Sequence, residues 1–325
     1  MFVMPKGMLD FEKPLIDLYK KVDDLKKFSK GGKIDLSAEI QALEQRIEHQ
    51  KKEIFSNLSP LQIVSIARHV QRPTMLDLVK HIFTDFMELH GDRGYADDPA
   101  MVGGIAKIDK HSVVIVGQQK GNNTKENIYR RWGMANPEGY RKALRLMQMA
   151  DRFNKPIITF IDIPGAYPGI EGEERSVAEA IARNLREMAQ FEVPIIIVIT
   201  GEGGSGGALG IGVGDRVLMM EFSIYSVISP EGCASILFRD SSKSGLAAES
   251  LKITAKDLLA MGVIDEIIKE PAGGAHSNAE QTGKNIKSAI LRNLEELNKL
   301  SKADLTEKRY KKFRSLGIFE ELKPL

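Results

Sequence analysis

The stretch from Val193 to Glu221, VPIIIVITGEGGSGGALGIGVGDRVLMME, constrains the fold more than any other part of the chain. The run from Pro194 to Thr200 has the length and β-branched content of a strand buried on both faces. Eight glycines follow between Gly201 and Gly214. That is more than one turn requires, so the backbone here must pass very close to a ligand, to another helix, or to both. A glycine turn that opens a helix also leaves its first N–H groups unpaired, and the helix dipole adds partial positive charge there. Such a turn suits an anion or a carbonyl oxygen that is gaining negative charge.

Three chemistries use a turn of this kind. Gly201, Gly203 and Gly206 satisfy G-x-G-x-x-G, and Glu221 falls twenty residues beyond Gly201, where a ribose-binding acid would stand. Against a dinucleotide site, the following helix would have to hold Gly207, Gly210, Gly212 and Gly214, at about 1 kcal/mol each relative to Ala. Gly203, Ser205 and Gly207 satisfy G-x-S-x-G, with Asp215 and His276 following in hydrolase order. There, however, the nucleophile should follow its strand directly, without Gly201 and Glu202 in between. In the third chemistry, the N–H groups near Gly206 and Gly207 hold a thioester oxygen while an enolate forms, which needs no side-chain nucleophile. Close helix packing alone is the structural alternative. A phosphate P-loop is excluded, because no G-x-x-x-x-G-K-[ST] occurs.

Around this segment the chain alternates strands and helices, which predicts an α/β fold. Two charged helices precede it, broken at Gly31 and Gly32; in the second, Ile40, Leu43, Ile47 and Ile54 form a stripe that wants a partner surface. A helix is expected from Thr74 to His90, capped by Thr74 with Asp77 and closed by Gly91. Met101 to Asp109 and Ser112 to Gln118 read as a hairpin turning at Lys110 and His111. Asn136 and Pro137 start a helix to about Phe153, and Pro156 opens the strand PIITFID. The loop IPGAYPGIEGEE comes next, then a helix over Glu173 to Phe191. Short strands are expected at Arg216 to Met220 and Ile224 to Ile228. Helices start at Ser229–Pro230 and at Thr254 with Asp257, and the chain is helical and polar after Gly274. A second glycine turn, Ile163 to Gly169, follows its own buried strand, and strand ends in such sheets share one crevice.

Composition narrows the function. The 325 residues carry one cysteine, Cys233, which excludes an internal disulfide or a thiolate zinc cluster and fits a reducing compartment. The six histidines have no metal-ligand spacing. With 46 Lys and Arg against 44 Asp and Glu, the net charge of +2 does not indicate nucleic acid or an anionic membrane as the main partner. One local excess stands out: between Gln118 and Arg152 there are eight basic and three acidic residues. It suits a CoA phosphate tail, an acidic subunit surface or a plain solvated helix face. No apolar run approaches the roughly 18 residues of a membrane span. The N-terminal MFVMPKGMLDFEKP is no secretory signal, so the cytoplasm is the expected location.

The runs LDFEKP, GDRGYADDPAMVGGIA, NPEGYRKALRLMQMADRF, FIDIPGAYPG, AIARNLREMA, GEGGSGGALGIGVGD and YSVISPEGCASI closely resemble the carboxyltransferase α subunits of bacterial acetyl-CoA carboxylases, over roughly residues 8 to 317. The resemblance implies a crotonase-like α/β fold, a spiral of ββα units. A helical extension over 1–73, a core over 74–275 and a helical extension over 276–325 are expected. It further implies transfer of CO2 from carboxybiotin on a separate biotin carboxyl carrier protein to acetyl-CoA, giving malonyl-CoA for fatty-acid synthesis, with biotin carboxylase as a further component. The partner is a β subunit of similar fold bearing a zinc ribbon, in an α2β2 assembly with the active site between α and β. Carried onto this chain, Gly206 and Gly207 are the oxyanion donors, and Gly165, Ala166, Gly204, Ser205 and Ala208 are substrate-binding neighbours. The sequence itself does not single out which substrate oxygen they hold; the thioester oxygen is the reading taken. No Met-Lys-Met biotinylation site, ATP-binding glycine loop or CxxC pair occurs, so biotin and zinc are expected on partners. The chain departs from the family pattern at Ser176, Val177 and Ala178, where Gly-Gln-Ser is commoner, and at Ile163, where Thr is.

Overall fold

The computed structural model describes residues 7–31 and 35–317. Helices α1 (Lys13–Gly31), α2 (Ser37–Ser56), α3 (Pro60–Ala67) and α4 (Met75–Ile82) lead into strands β1 (Thr84–Glu88), β2 (Met101–Ile108) and β3 (His111–Gln118). Next come α5 (Thr124–Tyr129), α6 (Pro137–Arg152), β4 (Ile157–Ile163), α7 (Ile170–Glu174), α8 (Val177–Gln190), β5 (Ile195–Gly204) and α9 (Ser205–Leu209). The chain continues through β6 (Arg216–Met220), β7 (Ile224–Ser226), α10 (Pro230–Phe238), α11 (Ser244–Leu251), α12 (Ala255–Ala260), β8 (Glu266–Ile268), α13 (Ala279–Leu297) and α14 (Lys302–Arg314).

The strands form one sheet in the order β1-β2-β3-β4-β5-β6-β8. Antiparallel pairing at β1, β2 and β3 gives way to parallel pairing from β3 to β8. Strand β7 lies parallel to the far end of β5, with Glu202 opposite Ile224 and Gly204 opposite Ser226. Alternate residues of the central strands enter different cores. Ile157, Ile161, Ile195, Ile197 and Ile199 pack with α6 and α8, while Ile158, Phe160, Ile196 and Val198 pack with α4 and α13. Burial on both faces is why these strands read as unbroken apolar runs.

Several local expectations change. The helix from Thr74 stops at Ile82, though Thr74 and Asp77 do form its capping box. The next residues become β1 because Asp85 takes φ +53 and β2 offers an edge to pair with, so long-range pairing overrides local pattern. Gly91 does have a positive φ of +78, but in a loop. The hairpin turns one residue earlier than expected, at Asp109–Lys110, because Asp109 adopts φ +50 and His111 pairs with Ile108. Asn136 directly precedes α6, but its side chain makes no cap bond. The helix expected over Glu173 to Phe191 is two, α7 and α8, separated where Ser176 takes φ +64.

The break expected at Gly31 and Gly32 falls partly outside the described residues; α1 runs through Gly31. The α2 stripe finds its partner within the chain. Ile47 packs with Leu18 and Val22 of α1, flanked by Ile40 and Leu43, and Ile54 joins a cluster with Phe55 and Phe222. At the other end of the chain, Arg309 of α14 is fully buried. It donates to both carboxylate oxygens of Asp215 at 2.9 Å and to the carbonyls of Met188, Phe191 and Val193.

Candidate active site

Strand β5 is longer than the sequence suggests, because Gly201 to Gly204 remain in the sheet instead of forming a turn. Its pairing with β4 slips between Ile161–Ile199 and Ile163–Gly203, a bulge that re-aims the strand end. Asp162 fills it: its carboxylate accepts from the Glu202 N–H at 2.9 Å, and a Cβ at Gly201 would overlap that carboxylate. Only Gly is tolerated there.

The two glycine turns, at the ends of β4 and β5, lie against one another. A Cβ at Gly204 would overlap the Pro164 carbonyl, and a Cβ at Gly207 would sit 2.7 Å from the Gly165 carbonyl carbon and 2.8 Å from the Ala166 nitrogen. Gly206 differs, since its Cβ would meet only Ile181 Cδ1 at 3.8 Å. Gly204 is thus the strand's last residue, Gly207 and Ala208 are buried in α9, and Gly165 and Ala166 form the opposing wall. Ser205 is exposed at the start of α9 with φ +47, a strained conformation for a residue with a Cβ. The first N–H groups of α9, from Ser205 to Gly207, have no carbonyl of a preceding helical turn to bond.

Buried side chains that the sequence does not single out fix this turn. The Gly207 carbonyl accepts from Gln118 Nε2 at 3.1 Å and from the Tyr140 hydroxyl at 3.3 Å, which engages both of its lone pairs. Gln118 Oε1 accepts the Asp162 N–H at 3.3 Å. Asn184 Nδ2 bridges the carbonyls of Tyr140 and Gly210 at 3.0 and 2.9 Å, and Thr159 holds the Ile211 carbonyl at 2.9 Å. The ends of α9 are therefore clamped by β3, β4, α6 and α8.

A chain of ion pairs runs beside the clamp. Lys120 Nζ sits 2.7 Å from Asp162 and 2.9 Å from Glu202; Arg68 reaches Glu202 at 2.6 Å and Glu231 of α10 at 2.7 Å. Burial alone would push the Glu202 carboxyl up, but Lys120 and Arg68 hold it below the usual carboxylate range. Burial likewise opposes the charge on Lys120, yet Asp162 and Glu202 keep it above the ordinary lysine range. Arg68, Lys120, Asp162 and Glu202 line a cavity of about 510 Å³ together with Trp132, Asn122 and Pro164. On the other side of α9, Ser205 and Leu209 border an apolar cavity of about 390 Å³ with Tyr225, Val227, Met261 and Phe313.

The alternative chemistries lose their geometry here. Asp215 lies at the start of β5, where it accepts from Ile195 N and Arg309, ten strand residues from Ser205. His276 stacks on His69 with ring centroids 3.7 Å apart, and burial with His69, Arg72 and Lys51 nearby pushes it down to about 3. No Ser-Asp-His relay exists. The G-x-G-x-x-G reading fails because Gly201 and Gly203 are strand residues, and Glu221 is engaged by Lys269 and the Glu270 N–H. Most of the basic excess faces the chain's own loop: Arg131 pairs with Asp98, Arg141 with Asp92, Lys142 with Asp97, and Arg145 with the Gly91 carbonyl. Among the described residues no group of three or more His, Cys, Asp or Glu could hold a metal ion, and no helix is long and apolar enough to cross a membrane.

Solved structures of similar shape are enzymes of carboxyl chemistry. Transcarboxylase 12S, solved with methylmalonyl-coenzyme A and methylmalonic acid bound, matches with TM-score 0.54 and 23% identity over 67% of this chain; the chain spans 40% of that one. The β subunit of geranyl-CoA carboxylase from P. aeruginosa matches with TM-score 0.54 and 15% identity, over 81% of this chain and 48% of that one. A Pseudomonas malonate decarboxylase heterodimer matches with TM-score 0.54 and 15% identity, over 67% of this chain and 89% of the other. The fold is the crotonase-like α/β fold of carboxyltransferases.

A family model described as acetyl co-enzyme A carboxylase carboxyltransferase-like matches residues 8–317. The acetyl-coenzyme A carboxylase carboxyl transferase α subunit of Geobacter metallireducens is 59% identical over 96% of this chain and 98% of its own, and that of Staphylococcus haemolyticus is 54% identical over 97% and 100%. The chain belongs to this family of carboxyltransferase α subunits.

Proposed function

We propose that this chain, together with a carboxyltransferase β subunit, moves the carboxyl group of carboxybiotin on a separate carrier protein to acetyl-CoA, yielding malonyl-CoA. The backbone N–H groups of Gly206 and Gly207 donate to a substrate carbonyl oxygen as it gains negative charge. Gly165, Ala166, Gly204, Ser205 and Ala208 shape the surrounding wall. The observation that carries this reading is the contact of the two glycine turns, in which Gly207 has no room for a Cβ against Gly165 and Ala166.

The division of labour follows from what the chain holds. Carboxybiotin supplies the CO2, and the chain supplies fixed dipoles that need no reorganisation when charge develops. One oriented donor is worth about a hundred- to a thousand-fold in rate. Gln118 and Tyr140 hold the Gly207 carbonyl, so the turn cannot swing away when substrate arrives. The apolar cavity beside Ser205, about 390 Å³, falls in the size range of small-molecule sites and lies open on one side of the turn. Zinc belongs to the β subunit in this reading, and biotin carboxylase reloads the carrier. The site of action is the cytoplasm, where malonyl-CoA feeds fatty-acid synthesis.

The test is reconstitution. The purified chain with its β subunit, carboxybiotin and acetyl-CoA should form malonyl-CoA, and the chain alone should not. Turnover by the isolated chain would contradict the shared site, and none by the reconstituted pair would contradict the reaction.

A further inference from the structure

The chain's one tryptophan sits where neither packing nor backbone preference explains it. Trp132 is 46% exposed and takes φ +53, between Arg131 at φ +47 and Gly133 at φ +83. Two successive residues with side chains in the left-handed region carry strain that the surroundings must hold, and a half-exposed indole gains little burial in return. The turn is held from both sides. Arg131 pairs with Asp98 and donates to the Met134 carbonyl at 3.2 Å, while a Cβ at Gly133 would come 2.8 Å from the Asp162 carbonyl, so the loop is pressed onto the end of β4. The strained turn sets Trp132 on the wall of the cavity of about 510 Å³ that Lys120, Asp162, Pro164 and Glu202 also line. Pro164 carries that cavity to the glycine turns, because Gly204 is packed against its carbonyl.

The charges around the cavity select its ligand. Arg68 is paired with Glu202 and Glu231, Arg72 with Glu270, and Lys120 with Asp162 and Glu202. Every Lys and Arg on the wall therefore already has a carboxylate, and a ligand tail of several phosphates would meet no free positive charge. Three carboxamides, Asn122, Asn123 and Asn127, also line the cavity, and side chains of this kind both donate and accept. An aromatic residue beside carboxamides suits a ring that is itself uncharged and makes hydrogen bonds of both kinds. Of the two substrates in the function proposed above, the adenine end of CoA brings phosphates, whereas the fused-ring urea of biotin has N–H groups, a carbonyl and apolar ring edges, and carries at most one carboxylate. We infer that Trp132 is a substrate-contacting residue, the wall on which that urea ring system rests when the carrier delivers it, and that it sets the affinity for this ring and not for CoA. The inference rests on that function.

Because the chain has no other tryptophan, fluorotryptophan placed in it gives a single fluorine NMR resonance, readable in the complex with unlabelled β subunit. Titration with free biotin should shift that resonance saturably, and free CoA over the same range should leave it in place. In the carboxyl-transfer assay, Trp132→Gly should raise KM for the carboxylated carrier at least about ten-fold, with KM for acetyl-CoA within about two-fold and kcat within about three-fold of wild type. The unfolding midpoint of this variant should be no lower than that of the wild type, because Gly accepts φ +53 without strain. Trp132→Phe should recover most of the lost affinity. A resonance indifferent to biotin, or one that moves with CoA alone, would overturn the inference. So would a Trp132→Gly variant with a lowered midpoint and an unchanged KM, since the indole would then be a packing residue. The resonance is read without turnover: a complex that responds to biotin but makes no malonyl-CoA sinks the functional reading, and one that makes malonyl-CoA while biotin leaves the resonance unmoved sinks this inference alone.

Discussion

The two ends of strand β5 are built from the same kinds of side chain and do opposite things. At its start, Asp215 and Arg309 are both buried, every oxygen and nitrogen of the pair has a partner, and the carbonyls of Met188, Phe191 and Val193 complete the shell. At its finish, Lys120, Asp162 and Glu202 also pair closely, but they border a cavity and stand beside a backbone turn strained at Ser205. The difference teaches where ion pairs act. A closed pair fixes a helix to the sheet, whereas a pair at a strand's carboxyl end fixes the backbone turn that the proposed function sets against substrate.

Substitutions at each end should separate the two roles. The largest effect belongs to Gly207→Val, whose Cβ has nowhere to go against Gly165 and Ala166; kcat of the assembled complex should fall at least about a thousand-fold. Gly206→Ala, facing only Ile181 at 3.8 Å, should lose less than about ten-fold in the same assay. Next comes Arg309→Met, which leaves Asp215 buried without its partner and should cost about 3–5 kcal/mol in denaturant unfolding. The kcat of the folded fraction should stay near wild type. Lys120→Met at the open end should cost less stability than that: about 2 kcal/mol, with kcat down about ten-fold and assembly intact. If Arg309→Met lowered kcat more than Lys120→Met, the contrast between the ends would be wrong.

The sequence carried much of this. The eight glycines after an apolar strand located the turn, and the two glycine turns do lie against one another, Gly207 meeting Gly165 and Ala166. The parallel strands and their helices were legible because burial on both faces leaves an unmistakable run. What holds the turn was not legible. Gln118 ends an apolar strand, Tyr140 lies on an ordinary amphipathic helix, and Lys120 meets Glu202 across 82 residues; no spacing announces such pairings, which exist only once the sheet is formed. Strand β1 was missed for the same reason. Its five residues become a strand by pairing with β2, and the local pattern still reads as helix. Ser176 takes φ +64, a conformation that Gly adopts at lower cost.

The central claim is that backbone groups, and no side-chain nucleophile, carry the reaction. Its most direct test is Ser205→Ala in the assembled complex, with carboxyl transfer measured at saturating substrates. The account predicts a kcat within about three-fold of wild type, because the hydroxyl has neither a base nor an acid partner and the N–H groups remain. Loss of turnover to background, together with labelling of the wild-type chain by a serine-directed phosphonate, would contradict it.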